Sequence, residues 1–206
     1  KKIKRISIRL IFIDDGSTDL GHLVVKKYQK KVKNIKLLRN KKKEGQTYCY
    51  KTYLNSFSSS YFIRMDADNQ DDPKHLIKIS RLILDGHDMI LTDRKLRKHP
   101  IYMIILNFIY DKIVSILIRK KLRTYSSSLA CFKIKFLSKK NLNFNDHRYL
   151  PIVAINNGVK SIKVFPVMHK VRLHGFTKYG MLKKIIFALP EFLYFFYRMK
   201  KGSFTN

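Results

Sequence analysis

Two short hydrophobic runs in this chain each end abruptly in a cluster of carboxylates. That pairing constrains the fold more than any other feature. Ile6–Ile13 runs into Asp14-Asp15-Gly16-Ser17-Thr18-Asp19, and Tyr61–Met65 runs into Asp66-Ala67-Asp68-Asn69-Gln70-Asp71-Asp72-Pro73. Each run has the length and apolar character of a strand entering a core, and each acidic stretch has the composition of a turn. The chain carries only 14 Asp+Glu against 44 Lys+Arg, so clustered carboxylates are its most informative residues.

Between and beyond these runs the periodicity alternates. Leu20–Lys33 places Leu23, Val24, Tyr28 and Val32 at helical spacing. Ile35–Leu38 reads as a second strand, Gln46–Phe57 as a helix and Asp88–Thr92 as a fourth strand. Pro73 opens a helix to Leu84 at its first turn, where proline is well tolerated. Strands alternating with helices predict an α/β architecture with a mainly parallel sheet. Right-handed crossovers bring strand C-terminal ends to one edge, where such sheets bind ligands. Both acidic clusters fall at that edge. Downstream come a helix at Ile101–Ile118, a stretch at Thr124–Phe136, a helix at His147–Asn156, a strand at Ile162–Val167 and an apolar tail from Leu182 to Met199. No repeat or linker marks a second domain.

Composition narrows the partners. At 45% hydrophobic and 28% charged the chain is globular. A net charge of +30 attracts polyanions: nucleic acid, anionic lipid or phosphorylated substrates. A solvated lysine-rich surface explains the same number. The basic residues are spread throughout, without RNP, KH or zinc spacing, so nucleic acid is not an expected partner. Cys49 and Cys131 match no metal spacing and no disulfide framework, which fits a reducing compartment. The lysine-rich N-terminus leads straight into a strand, without a signal-peptide pattern. Ile101–Ile118 carries Asp111 and Lys112 near its centre and reads as a buried or interfacial helix rather than a span.

The second acidic turn carries the chemistry. Carboxylates at i and i+2 leaving a strand share a face. Asp66 and Asp68 therefore suit a hard divalent cation, Mg²⁺ or Mn²⁺, that keeps water ligands and holds a diphosphate, with the Gln70 amide oxygen as a further ligand. The alternative is a polar turn that caps the following helix. In the first turn, a carboxylate of Asp14 or Asp15 suits a nucleobase imide or ribose hydroxyl, Gly16 permits the tight turn, and Ser17 or Thr18 caps the helix. An Asx-type turn accounts for Ser17 and Asp19, but less well for two adjacent aspartates.

Strand–DDGSTD followed by strand–DADxQ–xP resembles the family 2 glycosyltransferases of GT-A fold. Three later segments narrow the resemblance: Asp88–Arg94, similar to the family strand that ends in a diphosphate-binding arginine; Asp146–Pro151, similar to an HRFLP segment; and His169–Gly180, similar to H-x-x-R-x-x-G-x-S-K-Y-G. Together they resemble the polyprenyl-phosphate glycosyltransferases, the group that includes dolichol-phosphate mannosyltransferase, over roughly Ile6 to Tyr197.

The resemblance implies a Rossmann-like three-layer α/β/α domain over residues 1–181 and a membrane-associating helix over 182–206. It implies an inverting transfer of a sugar from a UDP- or GDP-sugar donor to a polyprenyl-phosphate lipid at the cytoplasmic face of a membrane, by a peripheral protein. The implied catalytic residues are Asp68, Arg94, Arg172 and Lys178. The implied donor site is Asp14, Asp15, Gly16, Ser17, Asp19, Asn40, Asp66 and Arg94. The metal falls to Asp66, Asp68 and Gln70, and the acceptor phosphate to His147, Arg148, Arg172, Thr177 and Lys178. Arginine suits phosphate through its bidentate geometry. The apolar, aromatic tail flanked by Lys183, Lys184, Arg198, Lys200 and Lys201 has the composition of an interfacial segment, with a core-closing helix as its alternative.

The chain departs from the family in three places. Lys1–Arg5 stands where a P-x-x-N-E strand is expected, so the domain reads as truncated at its N-terminal side. Thr124 replaces an aspartate, and Asn69 replaces a hydrophobic residue. Two alternatives stand beside the main reading: a same-fold transferase with another acceptor, and a non-catalytic relative that binds nucleotide-sugar or membrane.

Overall fold

The structure, a computed structural model, describes residues 6–56, 58–95, 101–119, 127–137, 141–143, 145–168 and 181–205. In chain order the elements are β1 (Leu10–Asp14), α1 (Gly21–Lys31), β2 (Ile35–Arg39), α2 (Gln46–Ser56), β3 (Tyr61–Arg64), α3 (His75–Leu84), β4 (Met89–Lys95), α4 (Ile101–Leu117), β5 (Ala130–Lys133), α5 (Leu150–Asn156), β6 (Ile162–Met168) and α6 (Met181–Lys200). They fall into two compact units: Lys1–Phe57 with Leu142–His147, and Ser58–Asn141 with Arg148–Asn206.

The first unit is a βαβ crossover followed by α2. β1 and β2 pair in parallel, from Leu10 opposite Ile35 to Asp14 opposite Arg39. A parallel pair needs a crossover, and α1 supplies it. Lys30 and Lys31 occupy its last turn, where cations complement the helix dipole. No residue of α1 is buried: Leu23, Val24 and Tyr28, whose spacing predicts the helix, stay exposed.

The second unit holds a four-stranded sheet of order β3-β5-β4-β6. β4 and β6 are parallel, while β5 pairs antiparallel with both β3 and β4. Thus β3, β4 and β6 run one way, and among the described strands β5 is the reversed one that makes the sheet mixed. Alternation sorts the side chains by face. Ile90, Leu129, Cys131, Phe165 and Val167 pack with Ile79 of α3, and Tyr61, Ile63, Leu76, Leu82 and Ile83 border that cluster. Phe62 and Phe132 stack on the other face, with ring centroids 6.4 Å apart. α3 begins at His75 rather than Pro73, because His75, Leu76 and Ile77 first form a tight i→i+3 turn back to Asp72, Pro73 and Lys74.

α5 is buried from Leu150 through Ile155, with Pro151 in its first turn. The C-terminal half of α6 closes this unit's core. Phe192 and Phe195 are buried, Phe195 stacks on Tyr149 at 4.5 Å, and Phe204 packs on Phe195 at 4.9 Å. Arg198 donates to the Asn141 carbonyl, and Asn157 donates to the carbonyls of Phe136 and Phe204. The other face of α6 exposes Leu193, Tyr194 and Tyr197. Among the described residues no helix is long and apolar enough to cross a membrane.

Candidate active site

In the first unit the structure brings Asp14, Asp15, Gly16 and Ser17 together with Asn40. The β1–β2 ladder sets this up: the Asn40 amide donates to the Asp14 carbonyl at 2.9 Å, one step beyond the last strand pair. Asp15 then serves as a staple for the loop before α2. Its carboxylate accepts from Asn40 Nδ2 (2.9 Å), the Glu44 amide (2.8 Å) and the Gly45 amide (2.8 Å). Burial raises its pKa, but these bonds together outweigh burial and hold it below the ordinary 3.8. Asp14 behaves alike. Burial is opposed by the Ser17 amide on Oδ1 and by Arg39, whose Nε lies 3.0 Å from Oδ2, and the net pKa is lowered.

Gly16 is required here. Its φ is +70°, and a Cβ would stand 2.6 Å from the Lys42 carbonyl carbon, a contact that backbone movement alone relieves. The cap expected of Ser17 or Thr18 is absent from α1. Asp19 instead accepts from the Gly21 amide at 2.9 Å, immediately ahead of the helix.

Cys49 lies against this cluster. Burial first, then the negative charge of Asp15, pushes its thiol up to about 11. Burial pushes the Cys131 thiol up to about 12. Both cysteines are free, and at neutral pH neither supplies a thiolate nucleophile. His147, expected at the acceptor phosphate, belongs to the same unit. It meets Thr47 Oγ1 through Nδ1 at 2.9 Å and packs on Tyr50 at 5.9 Å between ring centroids.

In the second unit β3 stops at Arg64, with Asp66 in the irregular residues that follow and Asp68 on the bend after them, rather than on the pleat. Asp68 Oδ1 accepts the Gln70 amide at 3.2 Å, closing an Asx-type turn. Asn69, at the position where the resemblance leads one to expect a hydrophobic residue, has φ +61°. Asparagine tolerates that left-handed backbone better than a bulky apolar side chain. Asp66, Asp68 and Gln70 all remain partly exposed. Among the described residues no group of three or more His, Cys, Asp or Glu forms a closed metal cage. Two partly exposed carboxylates fit a hard cation whose remaining ligands are water and diphosphate oxygens.

β4 runs on to Lys95, so Asp93 and Arg94 continue the strand, with Arg94 opposite Val167. Because β3 and β4 run the same way, the acidic turn and Arg94 share one edge of this sheet. The Arg94 side chain lies outside the described residues, as do Thr124, Arg172, Thr177 and Lys178 entirely. Arg148 is described: it pairs with Glu191 at 3.2 Å on the exposed surface of this unit.

Sequence reasoning passed over two residues at this edge. Asp71 is 1% exposed, and Ser128 donates to its Oδ2 at 2.6 Å. Asp71 lies in the second acidic turn and Ser128 in the stretch at Thr124–Phe136, but nothing local marks them as partners.

A mixed α/β sheet with an acidic turn beyond a strand's carboxyl end is the arrangement to compare with known folds. Among solved structures, glucosyl-3-phosphoglycerate synthase from Mycobacterium tuberculosis, in complex with Mn²⁺, uridine diphosphate and phosphoglyceric acid, matches with a TM-score of 0.62 at 14% identity, over 88% of this chain and 66% of that one. The shared architecture is the GT-A fold. The family model "Glycosyl transferase family 2" matches residues 2–144, and the chain belongs to that family. Dodecaprenyl-phosphate galacturonate synthase of Rhizobium johnstonii is 27% identical over 95% of this chain. Undecaprenyl-phosphate 4-deoxy-4-formamido-L-arabinose transferase of Edwardsiella ictaluri is 23% identical over 85%. The chain spans 60% and 54% of the lengths of these two relatives.

Proposed function

We propose that this chain transfers a sugar from a nucleotide-sugar to a polyprenyl phosphate at the cytoplasmic face of a membrane. The observation that carries the reading is the Asp66–Asp68 turn at the edge of the sheet that also presents Arg94. The names of the two relatives support the acceptor class, because both specify a polyprenyl phosphate.

Asp66 and Asp68, with Gln70 beside them, would hold a divalent cation, Mg²⁺ or Mn²⁺, which would supply charge neutralisation at the leaving diphosphate. Arg94, whose backbone lies on the same edge, is assigned to add positive charge where negative charge grows as the bond breaks. The acceptor phosphate oxygen forms the new bond to the anomeric carbon. The bond from that carbon to the nucleoside diphosphate breaks with inversion, and the diphosphate leaves with the electron pair. A phosphate monoester has a second pKa of about 6 and is largely ionised at neutral pH. It therefore needs positioning more than a base, which accommodates Thr124 in place of aspartate. Arg172, Thr177 and Lys178 are assigned to that phosphate. The first unit is assigned to the nucleoside, with Asp14, Ser17, Asp19 and Asn40 around the Gly16 turn. There Asp15 acts through the loop it holds.

The membrane reading is supported by α4 more than by the tail. Ile105, Phe108, Ile109, Ile113 and Ile116 form an exposed apolar stripe at helical spacing. α6 contributes Leu193, Tyr194 and Tyr197, beside Lys200 and Lys201.

The test is transfer of radiolabelled sugar from a panel of UDP- and GDP-sugars to undecaprenyl phosphate, with Mg²⁺ or Mn²⁺. Asp68→Ala is expected to lower transfer by about 10²–10³-fold, the usual loss when charge stabilisation at the reacting group is removed. Transfer that ignores both metal and Asp68→Ala overturns the reading.

A further inference from the structure

Beside the acidic turn lies a buried polar cluster that the transfer step does not use directly. Arg64, Thr92 and Ser127 are 5%, 1% and 3% exposed. Arg64 Nη2 donates to the Ser127 carbonyl. Thr92 and Ser127 share a short hydroxyl–hydroxyl contact, and both hydroxyls reach the Leu129 carbonyl at 2.8 Å. The Arg64 guanidinium also lies over the Phe132 ring at 5.9 Å.

The three groups come from three chain segments. Arg64 is the last residue of β3, two before Asp66. Thr92 lies on β4, two before Arg94. Ser127 lies just ahead of β5, the reversed strand between them, whose first residue Ala130 pairs with Arg64 on one side and Leu91 on the other. Buried polar groups cost stability relative to well-packed apolar ones, even when satisfied. What they supply is rigidity, because a satisfied buried network favours one packing of the segments it joins. Here that packing sets the separation of the two strand ends that carry the candidate site.

Ser128 extends the cluster to the turn itself. Its Oγ donates to Asp71 Oδ2 across 57 residues of sequence. Asp71 shares seven residues with Asp66, Asp68 and Asp72, and like charges so close repel. At 1% exposure its carboxylate is turned inward, away from any solvent-borne ligand.

We propose that Asp71 and Ser128 are positioning residues. Their hydrogen bond ties the acidic turn to the strand-end cluster and holds Asp66 and Asp68 in one arrangement for a cation. The inference rests on the metal reading of that turn.

The test is equilibrium binding of Mn²⁺, followed by electron paramagnetic resonance of the free ion, with UDP or GDP present, alongside thermal melting. Ser128→Ala and Asp71→Asn are each expected to weaken Mn²⁺ binding about tenfold, the range for groups that orient metal ligands. Ser128→Thr, which keeps the hydroxyl, restores binding. Lower melting temperatures with unchanged Mn²⁺ affinity make the pair a stabilising contact only and overturn the proposal. Asp68→Ala separates the two levels. If wild type binds Mn²⁺ and Asp68→Ala abolishes binding, while Ser128→Ala and Asp71→Asn leave it unchanged, the positioning role fails and the metal reading stands. Wild-type binding that ignores Asp68→Ala removes the metal reading and the inference together.

Discussion

Asp15 shows how much one side chain organises. Three donors from residues 40–45 converge on its carboxylate, two of them backbone amides. Asp15→Ala leaves these donors without their acceptor, at a cost of about 2 kcal/mol. Urea denaturation is expected to show that loss, and hydrogen exchange to show faster opening at Glu44 and Gly45. Unchanged exchange at those amides refutes the staple. Asp15→Asn keeps the shape but loses the charge, so it falls between wild type and alanine.

At the scale of elements, α6 and α4 divide the roles that composition alone assigned to the tail. α6 turns Phe192 and Phe195 inward and Leu193 outward. Phe195→Ala is expected to cost about 3–5 kcal/mol, as large buried aromatics do. Leu193→Ala should change stability by less than about 0.5 kcal/mol. Equal effects of the two in chemical denaturation would contradict the burial pattern. α4 keeps its apolar stripe exposed. Phe108→Glu with Ile116→Glu is expected to reduce sedimentation with anionic vesicles while leaving the melting temperature near wild type. Unchanged vesicle binding counts against α4 as the docking face.

For the molecule as a whole, the depressed carboxylates set the acid limb of stability. Asp14, Asp15 and Asp88 each have a folded pKa below 3.8. For Asp88, burial is outweighed by Lys133 at 3.0 Å and by the amides of Ser161 and Lys160. A carboxylate with a lowered folded pKa stabilises fully above its unfolded value and loses that contribution as pH falls through the folded one. Stability is therefore expected to hold at neutral pH and to fall as the pH drops through 3.8 and below. Asp15→Asn should flatten that limb in urea titrations at stepped pH. A limb unchanged by this substitution, and by Asp88→Asn, assigns acid sensitivity to other groups.

Most of the local elements were legible along the chain, and with them the candidate chemistry. Helical spacing marked α1, α2 and α4, and the strand–carboxylate junctions marked β1 and β3. These signals are local, because periodicity and turn chemistry act over a few residues. What those residues touch follows from packing between distant segments. The direction of β5 follows from pairing with strands dozens of residues away, and its short run Ala130–Lys133 carries no directional mark. Asp15 finds its donors 25 to 30 residues downstream, and Asp71 finds Ser128 at 57. An aspartate reads the same in sequence whether it faces solvent, a cation or a buried serine. Burial and hydrogen-bond partners separate those fates, and both arise only when distant segments pack.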